Sequence, residues 1–422
     1  MKKKTFLSVL ILLIFTAGFL CASGQSDAAE KSITLNLVTW DSTAYKYMMS
    51  INPMAELYKE SHPNVEIIIE SSKDTESFEQ TMQIRAAAGE LPDIIPLKPY
   101  MLERYKDLLL PLNDHPSTKV NKFAEMYSLD GNIIGLPTRS FNEFVYYRKS
   151  IFKELGLTVP ETWGEFMTLL ETIKDDGRFT PLLMGLKDAW PDYPFNEFMP
   201  FLESGDGNYY NVMAEMDAPF SPGKPFYESY ARIQDMYDLN AMGHDPLGVG
   251  FDEVKLQFVA GKGAMLAAGQ WFIEDYRRNL QGDVDDLGIF FLPVRDSKSE
   301  TLYASVMADS FYGIPKDNKN TEAAMEFLSW YFDVYYAQIL PALGVSSTIE
   351  GIEVADNPVL AQIADLEQPE YILLEADGPA FTEIKNAIQF DVKKLGQEMS
   401  VDYYDSFDAM MDTLNKQWAD AR

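Results

Sequence analysis

A chain of 422 residues with 46 % hydrophobic and 13 % aromatic content is too apolar for disorder and too long for one core, so two domains or one large α/β unit are expected. Its net charge of −30 at pH 7 sets the surface against nucleic acid and anionic lipid. A single cysteine, Cys21, excludes an intramolecular disulfide, so packing must carry the stability.

The chain opens on Lys2, Lys3 and Lys4, followed by an apolar run from Phe6 to Leu20 that Ser8, Thr16 and Gly18 interrupt. Cys21 then precedes a polar stretch, Ala22-Ser23-Gly24-Gln25-Ser26-Asp27. A basic start, an apolar run and a small-residue exit make 1–31 an export leader and tether, not part of the fold. The run is short of the ~20 residues that a spanning helix needs. Cys21 stands where a bacterial lipoprotein carries its lipidated cysteine, although Leu20 occupies the place of the usual small residue. Cleavage between Ala22 and Ala29, or an uncleaved anchor, are the alternatives. The expectation is an exported protein, lipid-anchored at the cell membrane or periplasmic. Beyond residue 31 no segment is apolar enough to span a bilayer.

Ile33 to Val38 alternates and reads as a first strand, delivering Trp40, Asp41 and Ser42 to a loop. Asn52-Pro53 opens a helix, with Asn52 as cap, that stops near His62-Pro63. Val65 to Glu70 is a second strand. A helix from about Ser77 to Ala88 ends on Gly89, and Pro92-Asp93-Ile94-Ile95-Pro96 begins a third strand. This alternation predicts right-handed crossovers and a mostly parallel sheet. Gly135-Leu136-Pro137 and Phe144 to Tyr147 read as a strand leaving the first domain. Thr162 caps a helix with Glu165 as its capping-box partner and Phe166, Leu169, Leu170 and Ile173 on one face. Residues 203–226, rich in Gly, Pro, Asp and Asn, read as irregular. Gly288 to Pro293 and Ser305 to Pro315 are strand-like. Thr321 to Tyr335 and Phe407 to Trp418 are helices.

Most catalytic patterns are missing. His62, His115 and His244 are scattered, and neither an HExxH, a GxSxG elbow nor a GxGxxG follows any strand. Asp283, Asp285 and Gly288 begin like a calcium loop, but Leu287 and Val294 stand where oxygen ligands belong. No cofactor or metal is implied.

Several segments, in order, resemble one family. They are Leu35 to Asp41; Ala86-Ala87-Ala88-Gly89-Glu90-Leu91-Pro92-Asp93-Ile94-Ile95; Gly135-Leu136-Pro137; and Tyr146 to Phe152 with Pro160-Glu161-Thr162-Trp163 behind it. Phe258 to Met265 with Gly269-Gln270-Trp271, and Gly313-Ile314-Pro315 with Asn320 to Ala324, complete the set. Over roughly 33–418 the chain resembles the extracellular solute-binding proteins of ABC importers, in the sugar-binding group that includes maltose-binding protein. That family usually has Asn where Arg148 stands. The resemblance implies an α/β fold of two lobes, each a mixed, mostly parallel sheet flanked by helices, with a ligand cleft between them. It places the first lobe at 32–139 plus 304–355 and the second at 140–303 plus 356–422. It implies sugar or oligosaccharide capture without catalysis, delivery to permease membrane subunits, and a monomer.

Loops at strand ends supply the candidate ligand residues. They are Trp40, Asp41 and Ser42 after the first strand, Lys98 after the third, Arg139 and Asn142 at one crossing, and Asp309, Ser310 and Phe311 at the other. Trp190 lies in an aromatic loop, and Trp271 resembles the family's ligand-stacking tryptophan. Carboxylates, amides and Arg bond sugar hydroxyls, and Trp faces cover the apolar face of a pyranose. Trp163, Trp330 and Trp418 read as core, and Tyr146 and Tyr147 as strand residues on opposite layers. A cationic ligand such as a polyamine, a peptide, a secreted carbohydrate-active enzyme and a signalling role are the competing readings.

Overall fold

The computed structural model describes residues 32–422 except 74, 355 and 356. The leader and Cys21 lie outside the described residues. Strands β1 (Ile33–Thr39) and β2 (Val65–Ser71) pair in parallel, Ile33 opposite Val65. On β2 the residues Val65, Ile67 and Ile69 turn inward while Glu66 and Ile68 face out, the period of a half-covered strand. The helix between them, Met54–Ser61, buries Met54 and Tyr58. Its cap is Pro53 and not Asn52, because the Asn52 amide is drawn away to Gln338 Oε1 at 2.9 Å.

Strand β3 (Ile95–Leu97) joins this pair to a larger sheet, Ile94 bridging Leu37 in parallel. The strand predicted in two pieces is one 13-residue strand, β4 (Leu136–Arg148). The polar run Thr138 to Glu143 in its middle hid the continuity from a hydrophobicity reading. After β5 (Thr180–Leu183), β6 (Gly263–Gly269) and β7 (Leu287–Phe290) comes a second long strand, β8 (Tyr303–Gly313), and later β9 (Glu370–Leu373). The N-terminal half of β4 pairs with β8, and its C-terminal half with β6 and β7. The N-terminal end of β8 pairs with β9 and its C-terminal end with β3. These two strands therefore run from one lobe into the other.

Parallel pairing holds at β1–β2, β5–β6 and β8–β9. The expectation of a mostly parallel sheet gives way wherever β4 or β8 meets β3, β6, β7 or the other crossing strand, all antiparallel. A strand that leaves a lobe and one that returns to it must run in opposite senses when they lie side by side.

Each lobe has its own core. In the first, Leu35, Leu37, Ile94, Leu136, Phe327 and Tyr331 pack together, extended by Val38, Phe78, Leu97 and Phe311. In the second, Val145, Phe166, Leu170, Phe226, Met265 and Trp418 pack, extended by Tyr146, Leu266 and Phe272. Each such side chain contributes roughly 1.5–3 kcal/mol by leaving water. The helix Trp163–Asp176 buries the face expected of it and is capped by Thr162. Glu165 reaches back to the Glu161 N–H (2.7 Å), one residue earlier than a capping box would have it. The stretch expected to be irregular contains a helix, Tyr209–Ala214, anchored by buried Tyr209, Tyr210 and Met213. No helix among the described residues is long and apolar enough to cross a membrane.

Candidate functional site

The ends of β1 and β3 and the crossing of β4 with β8 meet at one place. Asp41 caps the short helix Ser42–Lys46, its Oδ1 accepting from the N–H groups of Thr43 and Ala44 at 2.9 Å each. That leaves Oδ2 free to accept from Arg139 Nη1 at 2.6 Å. Arg139 stands opposite Asp309 in the β4–β8 ladder, and its Nε lies 3.2 Å from Asp309 Oδ2. This is an ion pair by distance but not a hydrogen bond by angle, since that N–H finds no partner. Lys98 Nζ donates to Asp309 Oδ1 at 2.8 Å and lies 4.9 Å from the centroid of the Trp40 ring. Trp40 in turn leans on Phe78.

Two carboxylates and two cations thus alternate in a chain beneath one indole. Arg139 is 8 % exposed and Asp309 is 3 % exposed, so the pairing is essential. Burial alone pushes the Asp309 carboxyl up, but Lys98 and Arg139 overcome it and hold the group below its usual value. Burial works against the Arg139 charge too, and Asp309 and Asp41 more than restore it. Breaking one member of such a set leaves an uncompensated buried charge, which costs about 3–5 kcal/mol.

Four residues further along β4 is Glu143, on the same face as Arg139 because an even separation preserves the face. Glu143 Oε2 accepts from the Tyr193 hydroxyl at 2.6 Å, while Oε1 is buried without a partner. Burial raises this carboxyl to about 8, with Asp309 and Glu197 adding to the rise and Tyr193 and Lys98 opposing it. Tyr193 belongs to an aromatic wall of the second lobe. There Trp190 lies 6.3 Å from Trp271 and 4.7 Å from Phe251, ring centre to ring centre. Trp271 stands two residues past the end of β6, and its indole sits against Gly269: a β-carbon there would meet Nε1 at 2.4 Å. A cation–ring contact crosses between the lobes. Lys393, on the helix Val392–Met399, lies 5.2 Å from the Tyr100 ring centre, and the Tyr100 hydroxyl donates to Glu79.

Of the sequence candidates, Trp40, Asp41, Lys98, Arg139 and Asp309 form one network, and Trp190 and Trp271 one wall. Ser42 is the exposed first residue of its helix. Asn142 lies half-buried on β4, its carbonyl accepting from the Gln270 N–H at 2.9 Å. Ser310 is buried in the left-handed region at φ 57°, with Thr138 donating to its carbonyl (2.8 Å). Phe311 is 0 % exposed and packs edge-on against Tyr127, so it is core and offers no face to a ligand. Trp163, Trp330 and Trp418 are buried, and Tyr146 is buried with its hydroxyl on the Gly269 carbonyl. Arg148 pairs with Asp286 and donates to the carbonyls of Phe258 and Val259, closing the end of the helix Phe251–Val259. Among the described residues no group of three or more His, Cys, Asp or Glu side chains is placed to hold a metal ion. In the segment that begins like a calcium loop, Asp283 caps its own turn.

Sequence reasoning missed Glu143, Tyr193, Tyr100 and Lys393. Reading β4 as one strand would have placed Glu143 on the face of Arg139. Nothing local marks Lys393, which arrives from the far end of the chain.

Two lobes bridged by β4 and β8, with an ion-paired floor and an aromatic wall, define a ligand-binding protein. Residues 44–334, more than half of the chain, match the family described as bacterial extracellular solute-binding protein, and the chain belongs to that family. Among curated relatives, the multiple sugar-binding protein of Streptococcus mutans is 22 % identical over 335 residues, 76 % of this chain and 78 % of that one. The maltotriose-binding protein of Pyrococcus abyssi is 22 % identical over 363 residues, 80 % of this chain and 72 % of that one. Among solved structures, RafE in complex with raffinose superposes with a TM-score of 0.74 at 20 % identity, covering 92 % of this chain and 99 % of that one. A chitin oligosaccharide binding protein gives 0.76 at 21 % identity, with the same coverage. These structural likenesses establish the two-lobed fold.

Proposed function

We propose that the chain is an extracytoplasmic receptor that captures a sugar or oligosaccharide between its lobes and delivers it to the permease of an ABC importer. The observations that carry this reading are the balanced set Asp41–Arg139–Asp309–Lys98, with Lys98 against the Trp40 ring, and the Trp190–Trp271 pair. Such a floor offers donors and acceptors to hydroxyl groups and carries no excess charge. Indole faces suit the C–H face of a pyranose. The named ligands of the curated relatives above are sugars.

The charge balance also argues against a polyamine. Asp41 and Asp309 are each engaged by a cation, and Glu143, raised to about 8, is mostly protonated at neutral pH. A cationic ligand would have to displace Lys98 or Arg139. The family consists of binding proteins, and we take this chain to bind without turnover. The contact set we assign is Trp40, Asp41, Lys98, Arg139, Asn142, Trp190, Trp271 and Asp309. We place the lobes at 32–139 with 304–355 and at 140–303 with 356–422. The separate cores support that division. The tether we assign to lipidated Cys21, and the working form to a monomer.

A thermal-shift panel of raffinose, maltotriose, chitobiose, mannitol, putrescine and spermidine tests the reading, since a ligand that binds only the folded state raises its melting temperature. A sugar or polyol is expected to shift the melt and the amines to leave it in place. A shift with the amines alone would overturn it.

A further inference from the structure

Glu143, Tyr193, Trp190, Trp271 and Gly269 close a ring of contacts. Glu143 and Gly269 are partners in the β4–β6 ladder. Glu143 Oε2 accepts a hydrogen bond from the Tyr193 hydroxyl at 2.6 Å. Tyr193 and Trp271 meet through Trp190, whose ring centre lies 6.1 Å from that of Tyr193 and 6.3 Å from that of Trp271. The indole edge rests on Gly269, where no β-carbon fits. The ring leaves one polar atom unpaired: Glu143 Oε1 is buried and takes no hydrogen bond. We propose that Glu143 is a positioning residue for the tryptophan wall, acting through Tyr193 to set the pose of Trp271, and that this pose holds only while the buried Glu143 carboxyl stays neutral.

The unpaired oxygen decides which charge state Glu143 can hold. A protonated carboxyl can stay buried with one hydrogen bond at modest cost, whereas an ionised one needs a partner for its charge. The groups facing Glu143 are the Tyr193 hydroxyl, Asp309 on β8, Glu197 in the second lobe and Lys98 after β3. Tyr146, on its own strand, also senses its charge. Lys98 is already committed to Asp309. Asp309 and Glu197 repel a new negative charge. An ionised Glu143 is therefore relieved by moving toward water, and Tyr193 either follows or loses its acceptor. Either event removes the support beneath the indole.

Tryptophan emission of the ligand-free full chain against pH tests this. Wild type is expected to show one reversible inflection near pH 8, the value burial gives Glu143. Glu143→Gln keeps shape and neutrality, so its emission should stay flat at the acid-limb value. Trp271→Phe should abolish the inflection, and Tyr193→Phe should shrink its amplitude. Near-ultraviolet circular dichroism at pH 7 confirms that each variant is folded. No inflection in wild type between roughly pH 6.5 and 9.5, or an inflection that survives Glu143→Gln or Trp271→Phe, overturns the proposal. The consequence for binding rests on the sugar-capture reading: affinity for raffinose or maltotriose should fall at least about threefold from pH 7 to 9 in wild type and hold in Glu143→Gln. If neither sugar binds while the emission titration behaves as described, the sugar reading fails and the positioning role stands.

Discussion

Trp271→Ala against Trp163→Ala separates a ligand wall from a core. Trp271 is half-buried, with Trp190 and Phe251 around it and its N–H edge on Gly269, and the proposed site gives one of its ring faces to the ligand. An aromatic side chain buries about 150–250 Å², so one face amounts to roughly 100 Å². At about 25 cal/mol per Å² that is about 2.5 kcal/mol, within the roughly 2–4 kcal/mol of an interface anchor and near a 70-fold loss of affinity. Trp163 is 4 % exposed, packed on Phe166 beneath Arg232. Its truncation should cost folding about 3–5 kcal/mol and leave affinity within about threefold among folded molecules. Calorimetric titration with the best sugar of the panel, paired with thermal melts, reads both quantities. If Trp271→Ala melts far below wild type yet binds normally when folded, the indole belongs to the core and the site assignment is wrong.

The ion-paired floor makes a second prediction. Asp309→Asn takes the carboxylate from Lys98, whose side chain is 21 % exposed, and from buried Arg139, which keeps Asp41, so the cost should fall near the low end, about 3 kcal/mol in urea unfolding at pH 7. Asp309 has a depressed pKa when folded, so its contribution is present above the ordinary carboxylate range and is lost as pH falls through the folded value. The deficit of the variant should therefore shrink in acid; a deficit independent of pH would contradict the electrostatic account. Gly269→Ala should cost about 1–3 kcal/mol by overpacking and at least tenfold in affinity, because the new methyl occupies the seat of the indole. Normal binding by that variant would remove Gly269 from the site.

The fold was legible where burial is one-sided and the chain short-range. The β1–β2 pair, the helix capped by Thr162 and the closing helix with Trp418 follow from period and caps. Long-range pairing was not legible. β4 was obscured because Arg139 and Glu143 sit mid-strand, where function places polar groups that a hydrophobic pattern reads as loop. Trp40, Asp41, Lys98, Arg139 and Asp309 could be nominated as strand-end residues, but their ion pairs depend on register between β4 and β8, separated by over a hundred residues. Phe311 was misplaced by one residue's alternation: its neighbour Ser310 turns through the left-handed region, and the ring goes into the core.

The claim that the cleft takes a neutral sugar and not a cation is tested most directly by calorimetric titration of raffinose, maltotriose and spermidine at two ionic strengths, about 20 mM and 300 mM. A neutral ligand exchanges no charge with the floor, so its affinity should be nearly independent of salt, whereas an attraction between exposed charges is screened. One sugar site per chain is expected, with a dissociation constant that changes less than about twofold, and no heat from spermidine. Spermidine binding that weakens steeply with salt, with no heat from either sugar, would contradict it.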